Sequence, residues 1–124
     1  MDEEIHSRRS WLEIADGYER LTLKCPDFEP MCTLVRRLAA SPGASELEHN
    51  TSMHDLLISN APARSWRENV LRVAFLPHSQ EFEFIYRLYD GATNTTEKRC
   101  KVPEAWDTLS RFVRYKFGVL LPDD

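Results

Sequence analysis

Glycine is scarce in this 124-residue chain: Gly17, Gly43, Gly91 and Gly118 stand alone, far from one another. Their isolation leaves no Gly-rich loop to cradle a phosphate, so a nucleotide-binding fold has no support. Long apolar runs are missing too. None approaches the ~20 residues of a membrane span, and the acidic start Asp2-Glu3-Glu4 is unlike a secretory signal. The expectation is a cytoplasmic chain with no membrane partner. Cysteine is limited to Cys25, Cys32 and Cys100. Three thiols cannot all pair, which points to a reducing compartment.

Catalytic signatures are equally lacking. No G-x-S-x-G elbow occurs, and Cys32 to Arg37 is one residue short of the C-x5-R phosphate cradle. A zinc site would have to draw on Cys25, Cys32, His49 and His54. The histidine spacing is allowed, but the cysteine spacing exceeds the usual two to four residues between ligands. Cys32 is also needed on an apolar helix face. Neither metal nor cofactor is expected.

What is present is a readable stretch from Val70 to Gly118. Val70–Leu76 is apolar except for Arg72, as in a strand buried on both faces. Pro77-His78-Ser79-Gln80 makes a turn. Glu81–Tyr89 then alternates, with Phe82, Phe84, Tyr86 and Leu88 inward and Glu81, Glu83 and Arg87 outward. A four-residue loop sets Phe75 opposite Phe82, Val73 opposite Phe84 and Leu71 opposite Tyr86, all on one face. Asp90-Gly91 signals a hairpin. A two-residue turn there would set Glu97 against Phe84, so a three-residue loop, Asp90–Ala92, is preferred. It sets Cys100 against Phe82, with Arg99 and Lys101 facing Glu83 and Glu81. A helix follows from Pro103, a residue suited to the first helical position. Ala105, Trp106, Leu109, Phe112, Val113 and Phe117 form its apolar stripe, Asp107 and Arg111 pair i,i+4 on the other face, and Gly118 ends it.

The front of the chain divides at turn signals. Residues 1–9 hold only Ile5 as a large apolar group and are expected to fray. Trp11–Ala15 and Tyr18–Lys24 flank Asp16-Gly17, a hairpin signal that pairs Leu12 with Leu21 and Glu13 with Arg20. A helix through Ser10–Ile14 competes with weaker periodicity. Asp27 caps a helix reaching about Ala40, whose face carries Phe28, Met31, Cys32, Val35, Leu38 and Ala39. Residues 46–69 stay open. Ser52 and Asp55 resemble a capping box starting a short helix at Met53, while Asp55–Ile58 reads equally as a buried strand. Asn60–Ala63 is a break in either case.

These pieces predict an α+β fold: one domain over 1–124, with an antiparallel sheet of about five strands and two main helices packed on it. The N-terminal hairpin and the meander over 70–102 supply the strands.

The net charge of −4 is spread unevenly: −5 over residues 1–60, −1 over 61–97 and +2 over 98–124. Three functions follow from that layout. The first is a protein-binding module, an adaptor, regulator or inhibitor, acting through an acidic face or a sheet edge. Its contacts would be Glu19, Glu29 and Glu48, with Trp11, Trp66 and Tyr89 wherever exposed. The second is nucleic-acid binding through Lys98, Arg99, Lys101, Arg111, Arg114 and Lys116, with Tyr115 available for stacking. Against it, Glu83, Glu81 and Asp107 would neutralise Arg99, Lys101 and Arg111. The third is a small enzyme whose site is scattered in sequence.

Overall fold

The computed structural model describes residues 10–60, 68–89 and 95–121. The lead-in over 1–9, residues 61–63 of the break, Trp66 and the Asp90–Ala92 loop lie outside them, as do the side chains of Glu68 and Tyr89. Five strands form one antiparallel sheet in chain order: β1 (Leu47–Ser52), β2 (Asp55–Asn60), β3 (Glu68–Leu76), β4 (Glu81–Tyr89) and β5 (Thr95–Lys101). With them are three helices, α1 (Trp11–Lys24), α2 (Glu29–Ala39) and α3 (Ala105–Phe112), the last continuing through a π-helical stretch, Val113–Phe117. The fold is α+β, as its sequence pattern implies.

The N-terminal hairpin does not form. Trp11–Lys24 is one helix, and Gly17 lies inside it. The Ser10 hydroxyl accepts from the Glu13 amide while the Glu13 carboxylate accepts from the Ser10 amide, a complete capping box. Ile14, Ala15 and Tyr18 are buried at helical spacing, with Trp11 and Leu21 packed beside them. Cap and stripe together outweigh the ~1 kcal/mol that an interior glycine costs a helix.

The strands missing from the N-terminus come from residues 47–60 instead. A hairpin pairs Leu47 with Asn60 through to Ser52 with Asp55, and Met53 takes the positive φ of 58° that its two-residue turn requires. No helix starts at Met53. Asp27 does not cap α2 either: it sits in a 3-10 turn, Pro26–Phe28, ahead of the helix, and no side chain caps that turn. The apolar face of α2 is as expected, with Met31, Cys32, Val35 and Leu38 buried and Phe28 and Ala39 packed at its rim.

The central meander takes the expected register. Phe75 lies opposite Phe82, Val73 opposite Phe84 and Leu71 opposite Tyr86. Cys100 faces Phe82, with Arg99 and Lys101 opposite Glu83 and Glu81. Alternation therefore sends Leu47, Leu56, Ile58, Leu71, Val73, Phe75, Phe82, Phe84 and Tyr86 to one face, where they share a core with all three helices. Leu88 belongs to that face by parity, yet it is 56% exposed. It sits one residue from the end of β4.

All six residues of the expected α3 stripe are buried. Trp106 packs into the core with the Arg37 guanidinium carbon 4.2 Å from its ring centroid. Gly118 ends the helix in the left-handed region at φ 72°. Beyond it the chain runs so close to Gly43 that a β-carbon there would stand 2.8 Å from the Leu120 carbonyl oxygen. Only glycine allows that approach.

Candidate functional site

In a five-stranded meander the outer strands have one neighbour each, and β5 is such an edge. Its Thr96, Lys98 and Cys100 lie opposite Tyr86, Phe84 and Phe82, on the helix-facing side. Helix α3 is fixed beside it by aromatic packing. Phe112 stacks on Phe84, ring centroids 5.7 Å apart at 13°, and Phe117 meets Tyr86 edge-on at 6.1 Å. Between β5 and α3 a groove of about 410 Å³ remains open. Thr96, Lys98, Thr108, Arg111, Phe112 and Tyr115 line it, with Glu97 and Lys116 at its margins.

The π-helical stretch shapes this groove. Five residues from Val113 to Phe117 leave the α-helical repeat, a local geometry that recurs at functional sites. Val113 and Phe117 remain buried, while Tyr115 projects with 75% of its surface exposed. Arg114 lies against the Tyr115 ring at 5.9 Å from the centroid, and the Lys116 ammonium sits 4.7 Å from the centroid of Tyr86. Tyr86 is itself anchored: its hydroxyl donates to Asn69 Oδ1, and burial pushes its phenol up. A second, larger depression of about 670 Å³ shares Arg111 and Tyr115 and adds Asp107, Ser110 and Arg114.

The six cations expected to form one patch fall into two groups. Arg99 and Lys101 point to the other face of the sheet. There Arg99 lies 3.1 Å from Glu83, and Lys101 lies 3.4 Å from Glu81. Both are neutralised, as their register implies. Lys98, Arg111, Arg114 and Lys116 instead surround Tyr115. The i,i+4 pair between Asp107 and Arg111 does not form, and among the described residues neither Arg111 nor Lys98 has a carboxylate within ion-pair distance.

The three acidic residues lie on three different elements. Glu19 on α1 pairs with Arg36 of α2. Glu29 stands in the first turn of α2. Glu48 alternates with the core residue Leu47 and so lies on the opposite face of the sheet. Trp11 is half-buried; its indole N–H donates to the Ala44 carbonyl at 2.9 Å and its ring meets His49 edge-on at 4.5 Å. It serves the packing of α1 on β1.

The four residues weighed for zinc are dispersed as well. Cys25 is exposed, Cys32 is buried, His49 packs on Trp11 and His54 on Phe28. Among the described residues no three His, Cys, Asp or Glu side chains converge as metal ligands would. A third depression, about 350 Å³, lies between α1 and the β1–β2 turn, bordered by Tyr18, Arg20, Lys24, Met53 and His54.

The groove was partly visible in the sequence. Setting Cys100 opposite Phe82 also sets Lys98 opposite Phe84, which places a lysine on the inward face of an edge strand. That charge pattern marks an edge that is not simply buried. Thr108 and the π-helical turn carry no comparable signal. No protein family, curated protein or solved structure matches this chain.

Proposed function

We propose that this protein is a protein-binding module that takes an extended segment of its partner along β5. The observation that carries the reading is the groove itself: β5, which among the described residues pairs with β4 alone, runs beside Phe112 and Tyr115. Main-chain pairing at such an edge supplies affinity, and the neighbouring groove selects alternate side chains. Nucleic acid cannot use the backbone ladder. Glu97 and Asp107 also interrupt the cations where a phosphate backbone would track. The edge-strand version is preferred to the acidic-face version, because Glu19 is engaged by Arg36 and Glu48 lies on the far face of the sheet. Three unpaired thiols suit a reducing compartment, and we place the protein in the cytoplasm. No helix among the described residues is long and apolar enough to cross a membrane.

The test couples capture to a local readout. Tagged protein is incubated with lysate from source cells, with and without nuclease treatment, and the recovered complex is analysed by amide hydrogen exchange. The expected result is a stoichiometric protein partner and slowed exchange over residues 95–101. A partner that leaves β5 exchange unchanged, or recovery that nuclease abolishes, refutes the reading.

A further inference from the structure

We infer that the segment received at β5 is acidic, with an apolar side chain set between carboxylates. The inference rests on the edge-strand reading and specifies its partner. The groove offers two kinds of recognition side by side. The exposed Tyr115, with the rim of the buried Phe112 at the groove floor, presents aromatic surface, which an apolar side chain of the incoming strand would cover. Lys98 approaches from the strand side and Arg111 from the helix side, and among the described residues neither has an ion-pair partner. Lys116 closes the same margin from its position over Tyr86. Three cations thus converge on one opening, against the single carboxylate of Glu97.

The contrast with the other side of β5 strengthens the point. On that face Arg99 and Lys101 are each matched to a glutamate of β4. The same strand therefore neutralises Arg99 and Lys101 on one face and leaves its single groove-face charge, Lys98, unmatched. Side chains of an added strand alternate, so every second residue of the partner would meet this unmatched side. Carboxylates there complete the charge pairing that the protein's own residues leave open. An acidic partner would also be steered in spite of the negative net charge, because the local field at the groove is positive.

A library of random nonapeptides displayed on phage, panned against the full chain, tests this directly. Selected peptides should be enriched severalfold in Asp and Glu flanking Leu, Ile or Phe. Their binding should slow hydrogen exchange over 95–101 and weaken as salt rises. Panning on a Lys98→Glu/Arg111→Glu variant should reverse the preference to Lys and Arg. A Lys98→Gln/Arg111→Gln variant should lose the preference while keeping its circular dichroism spectrum. Peptides that protect β5 with no acidic bias overturn this inference and leave the edge-strand reading standing. Peptides that protect another segment, or no enrichment at all, overturn both. So does displacement of the selected peptides by a dT12 oligonucleotide with an affinity that falls steeply with salt, since the groove would then be a nucleic-acid site.

Discussion

Replacing Gly17 by alanine separates a helical N-terminus from a hairpin by the sign of one number. Gly17 lies in the interior of α1 with ordinary helical backbone, and an added β-carbon would meet only the Arg20 side chain, 4.0 Å away. Alanine is favoured over glycine in a helix interior by about 0.8–1.0 kcal/mol, part of it from the smaller entropy of the unfolded chain. Nothing in the structure offsets that gain. Gly17→Ala should therefore stabilise the protein by about 1 kcal/mol, which for a chain of this length raises Tm by about 3–5 °C. In a tight hairpin turn the same glycine would need positive φ, and alanine there would cost about 1–2 kcal/mol. Urea denaturation followed by far-ultraviolet circular dichroism measures the difference. The midpoint should rise with an unchanged slope. A lower midpoint would refute the helix and return the segment to the hairpin.

Trp106→Ala, at a side chain only 8% exposed and packed under Arg37, should destabilise the fold by about 3–5 kcal/mol in the same assay. In thiol labelling of the native protein, exposed Cys25 should react first, well ahead of buried Cys32 and Cys100. Alkaline pH should also weaken the fold. Burial pushes the Cys32 thiol and the Tyr86 phenol up, so the folded state holds these protons when the unfolded chain has released them. Stability from both groups is fully present below their ordinary pKa values and is lost as pH rises through the range up to the raised ones. Denaturant midpoints measured across that range should fall, and Cys32→Ala should flatten the thiol part of the decline; a flat wild-type profile would contradict the assignment.

The part of the fold that could be read in advance is the part where two independent signals agree. From Val70 to Lys101, the alternation of β4 and the matching of cross-strand partners select one register among the turn lengths allowed, and the observed pairs follow it. The α3 stripe was legible for the same reason, since proline, glycine and helical spacing all mark one segment. Around Gly17 the signals conflicted. Asp16-Gly17 suggests a turn, whereas Ser10 and Glu13 form a capping box whose stabilisation depends on the helix beyond it. The segment 47–60 was opaque for another cause. β2 is buried on both faces, Leu57 and Ser59 on one and Leu56 and Ile58 on the other, so it shows no alternation. The groove was half legible: register places Lys98 inward, but no spacing rule foretells that Asp107 leaves Arg111 unpaired or that α3 widens at Val113.

The meander has a kinetic consequence. Each strand pairs only with its neighbours in the chain, so the sheet can grow by successive hairpin closures, each over a short loop of low entropic cost. Helix α3 is different, because Phe112 must come back across β5 to stack on Phe84. Until it docks, β5 has an edge but no groove beside it. The proposed binding surface would thus be assembled by the tertiary step rather than by the sheet, and a chain with its strands already paired would still lack the groove that selects a partner.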